Sequence, residues 1–228
     1  MCRLLFVQNK NQFNMSEHLS LFASIAKNSK EYQGHGWGCS YLVDDEWKHY
    51  KNISPIWEDD LEQFGKSSRL IVHARSAFKD KDIIVENNMP FYDDKYVFIF
   101  NGELRGVKIK ADGRIGAEKI FNFIKRFDKD GMDKALAKGV EIVNKRTSYI
   151  RAMNIIIAEK DRVHYSTLYN EDEEYFQMHY KQSDDELIIC SEVYPDGSGW
   201  KSISNKSNGV FQWQLSRSVV ENILILKR

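Results

Sequence analysis

The order of its regular segments constrains this chain most. Arg69-Leu70-Ile71-Val72-His73-Ala74-Arg75 and Tyr96-Val97-Phe98-Ile99-Phe100 are β-branched and aromatic runs of strand length, each leading to polar residues capable of chemistry. Between residues 117 and 127, Ile120, Phe121, Phe123, Ile124 and Phe127 fall on one apolar face; Met132, Leu136, Val140 and Val143 repeat that spacing beyond Gly131. Two successive helices are expected there. Upstream, Cys2-Arg3-Leu4-Leu5-Phe6-Val7 reads as a strand, and Leu19, Leu21, Phe22, Ile25 and Ala26 recur at helical spacing. Asp44-Asp45 separates two strand-like runs and predicts a hairpin. Downstream, residues 153–158, 163–168, 175–180, 186–190 and 210–215 read as largely antiparallel strands. Strands, then paired helices, then strands again predict an α+β layered fold rather than a doubly wound parallel sheet, which needs regular alternation. Only three prolines, no Gly/Ser-rich stretch and no internal repeat predict a single domain over residues 1–228.

With 42% apolar and 13% aromatic residues the chain can build a substantial core. Lys+Arg and Asp+Glu both number 33, so no global field draws it to nucleic acid or an anionic membrane. No run long enough to span a bilayer occurs, and the first thirty residues lack a signal-peptide core, so a cytoplasmic protein is expected. Cys2, Cys39 and Cys190 are odd in number and widely spaced, which indicates neither a disulfide framework nor a zinc site. No ligand spacing implies a metal or other cofactor.

Cys2 is the residue with the most chemistry to offer. Removal of Met1 would place a thiol nucleophile and a free α-amine on one residue. The reference pKa of an α-amine, about 7.7–8.0, suits it to accept the thiol proton, so no separate histidine is needed. Asn101-Gly102 after an apolar run is by itself the strongest short hairpin signal. The same pair can also aim a side-chain amide and a backbone N–H at one oxygen, stabilising the oxyanion formed when a thiolate attacks an amide. Arg75 is open to two readings, a structural ion pair or a guanidinium fork for a substrate carboxylate. His73 and His35 are read as structural, His35 as a hydrogen-bonded loop residue.

Taken in order, Met1-Cys2-Arg3-Leu4-Leu5, Gly34-His35-Gly36-Trp37-Gly38, His73-Ala74-Arg75, Glu86-Asn87-Asn88-Met89-Pro90-Phe91, Phe100-Asn101-Gly102-Glu103-Leu104 and Glu118-Lys119-Ile120-Phe121 resemble the class II glutamine amidotransferases. The likeness is greatest to stand-alone members related to subunits that cleave γ-glutamyl bonds. It covers residues 1 to about 125, with weaker echoes at Ala152-Met153-Asn154 and Cys190-Ser191-Glu192. The resemblance implies a four-layer αββα sandwich of two antiparallel sheets, the N-terminal nucleophile hydrolase fold. It implies Cys2 as nucleophile with its own amine as base, Asn101 and Gly102 as oxyanion hole, Arg75 as holder of the substrate α-carboxylate, and Gly36 as a point of close backbone approach. Two departures stand out. Where the family has Thr-Asp-Ser-Glu, whose aspartate takes the substrate ammonium, this chain has Ile115-Gly116-Ala117-Glu118; where the family has Asn-Thr-His-Pro-Phe, Met89 replaces the histidine. Losing the partner of a desolvated ammonium costs about 2–5 kcal/mol, which Glu118 or Glu103 would have to restore. The thioether at Met89 makes that wall more apolar.

The expected function is that of a cysteine amidohydrolase acting on glutamine or another γ-glutamyl amide through a thioester. The alternatives are a hydrolase of a different acylated amine, and a catalytically lapsed scaffold subunit. The length is filled by the hydrolase domain, so an ammonia acceptor or peptidase is expected as a separate subunit.

Overall fold

The computed structural model describes residues 1–195 and 197–212. Residues 213–215 of the last expected strand, with the rest of the C-terminal segment, lie outside the described residues. Two antiparallel sheets carry the molecule. The first has seven strands, in the order β11 (Lys201–Ser202), β9 (His179–Gln182), β10 (Glu186–Cys190), β1 (Arg3–Asn14), β4 (Lys66–Ala74), β2 (Trp37–Val43) and β3 (Glu46–Asn52). The second has five, in the order β12 (Ser207–Gln212), β8 (Arg162–Thr167), β7 (Thr147–Ala158), β6 (Val97–Val107) and β5 (Phe91–Tyr92).

The period-two alternation of a strand sorts side chains between two cores. From β1 and β4, Leu4, Phe6 and Ile71 enter the core shared with β6 and β7. Leu5, Val7, Leu70 and Val72 enter a second core with Leu19, Phe22, Ile25 and Ala26 of α1 (Met15–Lys27). Asn14 caps α1 by accepting the Ser16 N–H. On the other side, α2 (Gly116–Lys125) stacks Phe121 on Phe98 of β6, with ring centroids 4.9 Å apart. Gly139 lets α3 (Met132–Lys145) approach α2, because a Cβ there would lie 2.8 Å from Ile124 Cγ1. Helix, sheet, sheet, helix pair is the expected αββα order.

Most expected segments form, with two instructive exceptions. Asp44 and Asp45 do turn the β2–β3 hairpin, both at positive φ as a type I′ turn requires. Asn101-Gly102 does not turn: both lie inside β6, paired with Asn154 and Met153 of β7. The expected strand at 175–180 is instead a short helix, α4 (Glu173–Phe176), followed by β9. Left-handed Asp172 sets that turn, and the N–H groups of Tyr175 and Phe176 both reach its carbonyl.

Candidate active site

Cys2 precedes β1 in the same alternation as Leu4 and Phe6, the residues that face the other sheet. Antiparallel pairing of Arg3 with Ala74 brings the end of β4 alongside it. The main chain just beyond β4 clasps the thiol: Ser76 N–H lies 3.5 Å from Cys2 Sγ, and Sγ lies 3.7 Å from Ser76 O. Burial raises the thiol pKa against the pull of the terminal ammonium, the Ser76 contact and Arg75. With Met1 attached, Cys2 is therefore a protonated thiol without a free amine.

Arg75 lines the same cavity as Cys2 and is 5% exposed. Its guanidinium donates to three neutral oxygens, Asp82 O at 2.8 Å, Asn88 Oδ1 at 3.1 Å and Ile84 O at 3.4 Å. Among the described residues no carboxylate lies within ion-pair distance of it, so the structural ion pair considered from sequence is not formed. A buried cation held only by dipoles retains its attraction for an anion. Gly36 lies behind this group instead of in the cavity wall. Its carbonyl accepts the Arg75 N–H at 2.9 Å, and at φ +100° a Cβ would stand 2.1 Å from Asn88 Nδ2. Its absent side chain thus makes room for the asparagine that holds Arg75. His35 Nδ1 accepts the Ala77 N–H at 2.9 Å. His73 is fully buried, and burial followed by the nearby Arg75 charge lowers its pKa to about 3, so it is neutral. His35 is thus hydrogen-bonded within its loop, whereas both ring nitrogens of His73 are buried without a hydrogen-bond partner among the described residues.

Gly102 lines the cavity, and its missing side chain is what permits the strand pairing there: a Cβ would fall 2.2 Å from Ala152 O. Asn101 beside it is wholly buried, and neither atom of its side-chain amide has a hydrogen-bond partner. Such groups are rare in folded proteins; Asn101 itself is not part of the cavity wall, which its neighbours Phe100 and Gly102 line.

The cavity holds about 570 Å³ and runs from Met1 and Cys2 to the first turn of α2. Met89, Leu104, Val107, Ile109 and Ile120 give it an apolar wall. Gly116 opens onto it, with nothing within 4 Å of where a Cβ would be. Neither glutamate considered as a substitute anchor is free. Glu118 is bound by Arg114 through Nη2 at 2.6 Å and Nε at 2.9 Å, outside this cavity. Glu103 does line it, but Arg105 holds it at 2.5 Å and Arg151 at 3.7 Å. Asp82 is the remaining carboxylate of the wall, carried by the loop whose carbonyls hold Arg75.

Sequence reasoning missed a polar cluster on the other side of Cys2. Glu31 binds the Met1 ammonium and, at 3.0 Å, Arg151. Gln33 Nε2 and the Tyr175 hydroxyl each donate to Met1 O at 2.5 Å. Position immediately ahead of the Gly34-His35-Gly36 segment was the only signal for Glu31 and Gln33; Tyr175 carried none. Among the described residues no cluster of side chains could hold a metal ion, and no helix is long and apolar enough to cross a membrane.

No protein-family model and no curated protein sequence matches the chain. Solved structures do match. A glutamine phosphoribosylpyrophosphate amidotransferase from B. subtilis, complexed with ADP and GMP, superposes with TM-score 0.64 at 12% identity over 94% of this chain. The chain spans 50% of that protein's length. A predicted glutamine amidotransferase from Pseudomonas aeruginosa matches with TM-score 0.59 at 15% identity, covering 93% of this chain and 98% of its own. A glutamine aminotransferase class-II domain protein from Silicibacter pomeroyi gives TM-score 0.59 at 10% identity, covering 93% and 99%. The chain has the fold of these glutamine amidotransferase structures, the αββα sandwich of the N-terminal nucleophile hydrolases.

Proposed function

We propose that the chain, once trimmed to Cys2, is a cysteine amidohydrolase that cleaves glutamine or a related γ-glutamyl amide. The observation that carries this reading is the convergence on one cavity of Cys2, Gly102 and the Arg75 cation, which has no ion pair among the described residues, with the partnerless Asn101 amide on the neighbouring residue. In the trimmed chain the α-amine takes the thiol proton, and the thiolate attacks the amide carbonyl. Asn101 Nδ2–H and Gly102 N–H stabilise the oxyanion. Collapse breaks the C–N bond as the amine's proton passes to the leaving nitrogen; water then hydrolyses the thioester. Arg75 pairs with the substrate carboxylate, and Asp82 takes the role of ammonium partner that Gly116 leaves open.

The test uses protein whose intact mass lacks Met1, assayed for ammonia release from glutamine and for acylation by a glutamine chloroketone. Release should be lost with Cys2→Ala while the circular dichroism spectrum is unchanged. Equal release from that variant would overturn the mechanism. A second reading, a hydrolase of larger acylated amines, is favoured by the 570 Å³ volume and apolar wall. It predicts turnover of N-acyl amines lacking the α-amine, and indifference to Asp82→Asn.

A further inference from the structure

Met1 is gripped as a ligand is gripped. A free chain terminus ordinarily frays, yet this one meets a carboxylate, two donors and an apolar floor. Its ammonium is on Glu31, which burial pushes up but which that ammonium and Arg151 together hold below the usual carboxylate range. Its carbonyl accepts from Gln33, which is 0% exposed, and from Tyr175, which is 6% exposed. Its side chain packs on Ala152, Tyr169, Tyr175 and Phe176, a cluster separate from both main cores. The grip is itself built: the Arg3 guanidinium lies 4.0 Å from the Tyr175 ring centroid, and Ser29 Oγ lies 3.3 Å from its hydroxyl. Gln33 Oε1 is buried with no partner at all.

Trimming to Cys2 empties this site without dismantling it. Glu31 loses its ammonium, Gln33 and Tyr175 lose the acceptor they shared, and the vacated space joins the cavity that Met1 already lines. Glu31 keeps Arg151, and Gln33 Nε2 keeps Glu31 O at 2.7 Å, but each loses the partner that Met1 supplied, so a polar group that takes its place is favoured. The position is also tied to the chemistry. Met1 is bonded to the Cys2 nitrogen, and that nitrogen must hand its proton to the leaving group.

We propose that the Met1 site is the leaving-group subsite of the trimmed enzyme. It takes an amine that carries an apolar arm and a second, cationic nitrogen, as an alkyl diamine does. This rests on the amidohydrolase reading for its role, although the site itself does not. Substrates of this class are γ-glutamyl amides of such amines, with free glutamine leaving the subsite empty. Thiolate attack breaks the C–N bond, the released amine takes its proton from the Cys2 α-ammonium, and its cationic nitrogen remains paired with Glu31.

The experiment measures saturable binding of methioninamide, the detached equivalent of the Met1 aminoacyl unit, by calorimetry. The protein is the full chain starting at residue 2 with Cys2→Ala, so that no turnover intervenes. Binding is expected, with Glu31→Gln weakening it about tenfold or more. The same chain retaining Met1, made in cells whose methionine aminopeptidase is inhibited, should not bind. Tyr175→Phe serves as a second variant, removing one donor while keeping the ring. Absence of saturable binding, or equal binding with Met1 present, overturns the proposal. With Cys2 restored, kcat/KM for γ-glutamyl-1,4-diaminobutane should exceed that for glutamine about tenfold, an advantage that Glu31→Gln removes. Methioninamide binding without hydrolysis of either amide would defeat the amidohydrolase reading and leave the site; hydrolysis of glutamine without methioninamide binding would do the reverse.

Discussion

Arg75 and Glu31 flank Cys2 with opposite charges that are held in opposite ways. Arg75 is surrounded by carbonyl and amide oxygens and has no ion pair among the described residues. Glu31 is bound by two cations, one of which is the chain's own terminus. The Arg75 side is thus charged and open with Met1 in place, whereas the Glu31 side is occupied by Met1. On the proposed reading, the pocket for the substrate carboxylate exists before Met1 is removed, and the leaving-group subsite only afterwards.

The largest effect tests what lies between the two sides. Cys2→Ala in trimmed protein should reduce ammonia release from glutamine at least about a thousandfold, and a chain retaining Met1 should be as inactive. Activity with Met1 in place would erase the distinction between the sides. Gly102→Ala perturbs the wall they share. With its Cβ 2.2 Å from Ala152 O it should cost about 3 kcal/mol or more of stability by urea denaturation. Gly116→Ala, in open space at the helix start, should be neutral or slightly stabilising. Arg75→Lys keeps the charge but loses the planar fork, so KM for glutamine should rise about thirtyfold with kcat little changed. The Arg75 charge also bears on His73, whose pKa in the folded chain, about 3, lies below the ordinary imidazole value of 6.5, chiefly because the ring is buried. A lowered value means that the unfolded chain binds the proton first. His73 then contributes stability that is present above pH 6.5 and lost as pH falls toward 3. His73→Met should flatten the acid limb of denaturation profiles by up to about 1.4 kcal/mol per pH unit. Among the effects on turnover the smallest belongs to Glu31→Gln, which should change glutamine turnover less than about threefold, because ammonia leaves the subsite unused. An effect as large as that of Arg75→Lys would show that the two sides act as one.

What the sequence discloses follows the same division. Cys2, Arg75 and Gly102 announce themselves because thiol, guanidinium and glycine at strand ends or within strands are chemically unusual placements. The strands and helices that carry them were legible from apolar periodicity. Asn101-Gly102 misleads locally: the pair is a turn signal, and only pairing with β7 shows that a side-chain-free position inside a strand is required. Residues 175–180 mislead because aromatic residues favour a strand, whereas the backbone of Asp172 sets a helical turn. The Met1 grip was not legible at all. Tyr175 reaches Met1 across 174 positions of sequence, and neither glutamine nor tyrosine is distinctive without that contact. Asp82 was equally hidden, since its place in the cavity depends on the path of an irregular loop.

Two of the three acceptors around Arg75 are backbone carbonyls, and the third, Asn88, is accommodated by the absence of a side chain at Gly36. Carbonyl oxygens are common to every residue type. The loop from Ala77 to Asn87 can therefore change most of its side chains over evolutionary time while the guanidinium stays in register with the thiol. Such a loop can retune which molecules enter without rebuilding the charge that receives them, and the tolerated changes should concentrate there, with Gly36 and Asn88 as the fixed points.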